Sequence, residues 1–160
     1  MSELTPPGEF RPQLIFAALA SNAVGYVAVG GIALIAHGVV RATLDVDVIP
    51  EPAPENLARL AGAIGSLRGA PSGEPQTAVT ADLLGREANM RFDTEAGQLD
   101  ILGAKVYRRL YPDLRARSTT AELDDVTIRV VSRNDLIRLK AGSGRDRDLL
   151  DIGDLLALEE

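Results

Sequence analysis

The sequence predicts an α/β (α+β) fold in which a small mixed β-sheet is flanked by helices. Three observations indicate this class. Short runs alternate apolar with polar residues, as half-buried strands do, and residues 44–49 are the clearest of these runs. Longer runs that favour helices lie between the predicted strands. Clusters of proline and glycine separate the two kinds of segment.

The first half of the domain is predicted as helix, strand, helix, strand and helix. Residues 14–23 form the first helix, which ends near a glycine, and residues 26–29 form a short strand. A helix over 31–39 follows almost without a loop. The strand over 44–49 is stopped by prolines, and a helix over 54–67 begins with a proline, whose missing N–H does no harm in a first turn.

The middle of the chain predicts a loop and then a hairpin. Residues 68–75 are rich in glycine and proline and predict a mobile loop. Residues 79–88 are compatible with a short helix. Strands over 90–93 and 98–102 are joined by a turn at 95–97.

The C-terminal part predicts a second hairpin and two helices. The hairpin pairs residues 119–123 with 126–131. Ser132 caps the next helix, which runs to about Ala141, and the acidic residue three positions on resembles the partner in a capping box. The last helix covers residues 145–158.

Composition bounds the class of protein. We expect residues 1–12, which hold three prolines, to form a flexible leader, and residues 13–160 to form one domain. Cysteine is absent, which excludes disulfides and thiol chemistry and is compatible with the cytoplasmic location that we expect. The net charge of −6 argues against indiscriminate binding of nucleic acid, although Arg108, Arg109, Arg115 and Arg117 form either a local basic patch or a solvated face.

A membrane span is the alternative for the uncharged stretch 12–40, which is long enough to cross a bilayer. Two polar residues and four glycines interrupt this stretch, and acidic residues outnumber Arg11 before it. We therefore expect no membrane association.

Two acidic residues on one strand are the main functional signal. Asp45 and Asp47 alternate with valines, so both carboxylates point to the same face of the strand. Adjacent buried anions repel each other and lose hydration, and a divalent cation relieves both penalties. Thirteen residues separate this pair from the glycines Gly30 and Gly31, and a third isolated acid, Asp100, lies on a later predicted strand. We expect the pair to form a metal site. The alternative for the pair is the solvent-facing side of an edge strand, and the alternative for Asp100 is a surface position.

This constellation resembles the nucleotidyltransferase superfamily with the polymerase-beta-like fold. The shared pattern is an apolar residue and two small ones, then Asp-x-Asp, then a third acid on a neighbouring strand. The segment with His37, Gly38, Arg41 and Thr43, and the C-terminal stretch from Lys140 through residues 145–152, resemble more narrowly the AbiEii-type and minimal nucleotidyltransferases of bacterial toxin–antitoxin systems.

The resemblance implies transfer of a nucleoside monophosphate from an NTP to a hydroxyl acceptor. Asp45, Asp47 and Asp100 would be catalytic residues that hold one or two Mg²⁺ ions. The residues that would bind the nucleotide are Gly30, Gly31, Arg41, Thr43 and Lys140. Four of these residues have a structural alternative: a tight turn for the two glycines, solvation for Arg41, and a helix-surface charge for Lys140.

Several acceptors and one other class of function stay open. The resemblance favours an RNA end, such as that of tRNA, or a protein side chain, with an antitoxin as partner. A small-molecule transferase of the aminoglycoside type is one alternative, and a nucleotide-binding or partner-binding module without turnover is another. His37, the only histidine, is expected to be a packed or hydrogen-bonding residue rather than a base.

Overall fold

The computed structural model describes residues 9–158. The helices are α1 (Pro12–Ser21), α2 (Gly30–Ala36), α3 (Pro54–Ser66), α4 (Ala81–Leu84), α5 (Lys105–Arg117), α6 (Arg133–Ser143) and α7 (Asp146–Ala157). The strands are β1 (Tyr26–Val29), β2 (Asp45–Pro50), β3 (Ala70–Pro71), β4 (Asn89–Thr94), β5 (Gly97–Leu102), β6 (Thr119–Leu123) and β7 (Val126–Val130). Residues 1–8 of the predicted leader lie outside the described residues.

Across the described residues, the strands form one mixed sheet in the order β3-β4-β5-β2-β1-β7-β6. β2 pairs with β5 and β1 pairs with β7 in parallel, whereas the other neighbours are antiparallel. Helices α1 and α5 pack on the central strands, α3 packs on α1, and α6 packs against α7. The predicted α/β class with a mixed sheet flanked by helices is confirmed.

The predicted hydrophobic stretch 12–40 divides into α1, β1 and α2. Its apolar side chains enter the protein core, where Ile15, Phe16 and Leu19 of α1 are fully buried. Within residues 9–158, no helix has both the length and the apolar character needed to cross a bilayer.

One helix carries no prediction from the sequence. α5 covers residues 105–117, and Pro112 lies inside it. An internal proline removes one backbone hydrogen bond and normally argues against a helix. The helix persists because Tyr111 and Leu114 are buried against the sheet and Arg115 donates to the carbonyl oxygen of Tyr26 at 2.7 Å. Tertiary contacts therefore outweigh the local penalty.

The segment predicted as a mobile loop contains a short strand. Ala70 and Pro71 pair with Asp93 and Phe92 of β4, which extends the sheet by one edge strand. Proline is tolerated there because one side of an edge strand needs no donor.

Candidate active site

The two glycines allow the start of α2 to lie directly against β2. Gly30 has a φ of +67°, a conformation that side chains with a Cβ rarely adopt. A Cβ on Gly30 would lie 2.9 Å from Cγ of Asp47, and one on Gly31 would lie 2.6 Å from Oγ1 of Thr43. Close approach of the backbone to an aspartate side chain therefore requires glycine at position 30.

Strand register assembles the three aspartates. Asp47 of β2 lies opposite Asp100 of β5 in the parallel pair, and Asp45 lies opposite Gln98. One carboxylate oxygen from each of Asp45, Asp47 and Asp100 lies within 4.8 Å of the others, and all three residues are half-buried. We call these residues the acidic triad. Three carboxylates at this spacing are the hard oxygen donors that Mg²⁺ and similar cations prefer, so the donor set fits a divalent metal.

Burial and mutual repulsion disfavour full ionisation of the triad. Burial, a hydrogen bond with Asp100 and repulsion from Asp45 and Asp100 raise the pKa of Asp47 to about 8. Burial, followed by repulsion from Asp100, also raises the pKa of Asp45, whereas nearby Arg91 opposes this shift. A cation within the triad would relieve the repulsion that both shifts report.

Arg91 is a site residue that sequence reasoning missed. Its Nε and Nη2 donate to the two carboxylate oxygens of Asp100 at 2.8 and 3.0 Å, and Nη2 lies 3.5 Å from Oδ2 of Asp45. The contact follows from the hairpin, because Arg91 of β4 lies opposite Asp100 of β5. Counting outward from the predicted turn at 95–97 would have placed Phe92 opposite Asp100. The observed turn is one residue shorter, because Thr94 pairs with Gly97, and this register brings Arg91 to Asp100.

Lys140 lies in a buried ion-pair network beside the triad. Its Nζ donates to Oδ2 of Asp151 at 2.9 Å and to Oδ1 of Asp148 at 3.3 Å, and Lys140 is 9% exposed. Arg41 contacts the other oxygen of Asp151 at 2.7 Å. Burial tends to raise the pKa of Asp148, but hydrogen bonds from Ser143, Arg145 and Lys140 outweigh it and leave that pKa lowered. The network joins α6, α7 and the loop before β2.

The remaining candidates have local structural contacts. Thr43 donates through Oγ1 to the carbonyl oxygen of Asp45 at 3.2 Å. Nε2 of His37 lies 2.8 Å from the carbonyl oxygen of Val131, which agrees with a hydrogen-bonding role. Arg117 forms a two-point contact with Asp135.

Most arginines of the predicted basic patch form hydrogen bonds within the protein itself. Arg108 donates to the carbonyl oxygens of Gly103, Leu84 and Arg86. Arg109 is exposed on α5. The structure therefore uses Arg108, Arg115 and Arg117 to hold the fold, whatever else they contact.

Two open cavities meet at the triad. The larger has a volume of about 610 Å³ and includes Gly31, Arg41, Thr43 and Arg147 in its lining. The smaller has a volume of about 420 Å³ and is lined in part by Leu102, Tyr107, Leu136 and Leu139. Both are lined by Gly30, Asp47, Asp100 and Lys140. The triad thus lies where two ligands could meet.

Solved structures with a similar fold include antibiotic-modifying enzymes. The lincosamide antibiotic adenylyltransferase LnuA, bound to lincomycin, is 14% identical with a TM-score of 0.62, and the alignment covers 92% of this chain and 97% of that one. The antibiotic-resistance factor ANT(2'')-Ia is 13% identical with a TM-score of 0.60, covering 93% and 82%. An antigenic nucleotidyltransferase-like protein from Paracoccidioides brasiliensis is 18% identical with a TM-score of 0.60, covering 95% and 78%. No curated protein matches by sequence.

A family model described as "Nucleotidyltransferase of unknown function (DUF6036)" matches residues 14–158. The match confirms the nucleotidyltransferase superfamily and the expectation of an enzyme, whereas the narrower likeness to AbiEii-type proteins stays a prediction. Because the matched range spans most of the chain, the protein belongs to this family of nucleotidyltransferases, DUF6036.

Proposed function

We propose that the protein transfers a nucleoside monophosphate from an NTP to a hydroxyl acceptor in a reaction that depends on Mg²⁺. The observation that carries this proposal is the acidic triad at the junction of two cavities. Bound Mg²⁺ would supply charge neutralisation on the phosphates and activation of the attacking hydroxyl. Asp45, Asp47 and Asp100 would hold it.

The chain's own residues would position the substrates. The larger cavity contains the Gly30–Gly31 step, where the absence of side chains lets a triphosphate approach the backbone, and it also contains the cationic side chain of Arg147. Arg41 and Lys140 line this cavity too, but carboxylates already partner both. Their predicted phosphate contacts therefore require the nucleotide to share them with Asp148 and Asp151. The smaller cavity, with Tyr107 and leucines, would then receive the acceptor.

Two classes of acceptor are proposed. An RNA end or a protein side chain follows from the likeness to toxin–antitoxin proteins, and an antitoxin partner and a cytoplasmic location belong to the same proposal. A small antibiotic is favoured by a separate observation, since LnuA and ANT(2'')-Ia share this fold over 92% and 93% of the chain. The net charge of −6 counts against a long nucleic-acid interface.

The test is transfer of label from each of the four α-³²P-labelled NTPs in the presence of Mg²⁺. Acceptors are total tRNA, the protein itself, a cell extract, and a panel of aminoglycosides and lincosamides. The double variant Asp45→Asn, Asp47→Asn should lose transfer, whereas Asp93→Asn should keep it, because Asp93 contacts Ser72 rather than the triad. If Mg²⁺ and NTP raise the melting temperature but no acceptor is ever labelled, the chain is a binding module and the transferase proposal is wrong.

A further inference from the structure

Arg91 holds the acidic triad in a way that bears on how the triad binds metal. Its guanidinium makes a two-point contact with Asp100 and a longer ion pair with Asp45. Two-point contacts of this kind are stronger and more directional than ordinary hydrogen bonds. The guanidinium thus occupies part of the coordination space of two proposed ligands.

The charges of the cluster favour this contact. When all three carboxylates are ionised they carry three negative charges, and Arg91 compensates one of them, so less negative charge is left to attract a divalent cation. Strand pairing places Arg91 beside Asp100 before any ligand binds, because β4 and β5 form a tight hairpin. A cation that ligates Asp45 and Asp100 would lie close to the guanidinium and be repelled by it.

Arg91 is also able to leave. Its side chain is 50% exposed, whereas that of Asp100 is 15% exposed. Within residues 9–158, the hydrogen bonds of the guanidinium all go to Asp100. A long, half-exposed side chain whose only other contact is the longer ion pair with Asp45 can swing into solvent or toward a phosphate that enters the site.

We propose that Arg91 is an internal counter-cation that competes with divalent metal for Asp100 and Asp45. This inference rests on the proposed metal-dependent function. Arg91 positions Asp100 in the protein alone and weakens metal binding there, and it is released when a nucleotide brings additional negative charge. Metal affinity would therefore be low without nucleotide and high with it.

The test is calorimetric titration of nucleotide-free protein with Mn²⁺ as the probe, at constant ionic strength. We compare the wild type with Arg91→Ala, Arg91→Gln, Arg91→Lys and the control Arg109→Ala, which removes an exposed positive charge from α5. The neutral variants should bind Mn²⁺ roughly tenfold more tightly, the size expected for removing one charge-assisted contact that opposes binding. The Mn²⁺ affinity of Arg91→Lys should fall between that of the neutral variants and that of the wild type. The Mn²⁺ affinity of Arg109→Ala should match that of the wild type.

A purely structural role for Arg91 predicts the opposite sign, because loosening the triad would weaken Mn²⁺ binding. Equal or weaker Mn²⁺ binding by a folded neutral variant therefore overturns the inference. If that occurs while the wild type still transfers nucleotide, only the role of Arg91 fails. If neither the wild type nor any variant binds Mn²⁺ with or without a non-hydrolysable NTP, both the inference and the metal-dependent function are wrong. Melting curves show whether each variant is folded. If Arg91→Ala does not fold, Arg91→Gln serves as the neutral variant.

Discussion

Replacing Asp47 by asparagine should stabilise the metal-free protein while removing its response to metal. Asp47 carries an electrostatic penalty in the folded protein, since burial and two neighbouring carboxylates raise its pKa to about 8. Asparagine has nearly the same shape and can donate a hydrogen bond to Asp100. It therefore removes the repulsion and leaves the packing intact.

The size of the effect follows from the pKa shift. The pKa of Asp47 rises from 3.8 to about 8 on folding, and at 1.36 kcal/mol per unit this sets a ceiling of about 6 kcal/mol at pH 8. The repulsion is distributed over three carboxylates, so removing one charge does not recover all of it, and solvent in the open site screens what remains. We therefore expect a smaller gain for Asp47→Asn, about 1–2 kcal/mol, which raises the melting temperature of a domain of this size by roughly 2–8 °C.

The pH dependence carries the same sign. Because the folded-state pKa is raised, the folded protein binds more protons than the unfolded chain between pH 3.8 and about 8. Stability contributed by this group should therefore fall as pH rises through that window and level off above it. Asp148 has a lowered pKa, so its stabilising contribution is lost only as pH falls below the ordinary carboxyl range.

The assay is thermal unfolding at pH 5 and pH 8, with EDTA or with Mg²⁺. Wild type should gain stability from Mg²⁺ at pH 8. In EDTA, Asp47→Asn should be more stable than wild type, and it should gain little stability when Mg²⁺ is added. Asp93→Asn serves as the matched control, because Asp93 lies on β4 and accepts a hydrogen bond from Ser72 at 2.9 Å. A loss of stability for Asp47→Asn in EDTA at pH 8 would refute the electrostatic account of the triad.

Two further predictions concern packing around the site. Gly30→Ala should lower the free energy of unfolding by about 2–4 kcal/mol, because it combines a positive φ with overlap against a triad side chain. The control Gly153→Ala, whose added Cβ meets no atom within 4 Å, should instead stabilise α7 by up to about 1 kcal/mol. Equal melting temperatures for the two variants would contradict this prediction. Lys140→Met should lower the free energy of unfolding, measured by chemical denaturation, by about 2–3 kcal/mol, because it leaves Asp148 buried with fewer cations. The control Lys105→Met, on the exposed start of α5, should leave this free energy unchanged. An unchanged denaturation midpoint for Lys140→Met would show that the buried ion pairs contribute nothing to stability.

Local patterns were enough to predict much of the site. Alternation places Asp45 and Asp47 on one face of a strand, and the structure shows Val46 and Val48 fully buried on the other. The cap of α6 was also local, since Ser132 accepts a hydrogen bond from the N–H of Asp135 at 3.1 Å. These features depend on residues that are neighbours in sequence, so period and composition are sufficient to find them.

Long-range partners were beyond the same reasoning. Sequence alone placed Asp100 on a strand and assigned α5 no structure. It also gave Lys140 two open roles, and the structure places this residue between Asp148 and Asp151. Which charge meets which depends on how α6 and α7 pack, and no sequence period encodes that packing.

The sequence by itself determined that this protein carries two aspartates on one strand face after a glycine step, with a third acid on another strand. Only the tertiary structure decided that they meet, because the parallel pairing of β2 with β5 joins strands that are distant in the chain. It also decided that Arg91 shares their charge, through the β4–β5 register. The alternation of side chains follows from the geometry of a single strand, whereas contacts between charged residues on different strands depend on which strands pair and in which register.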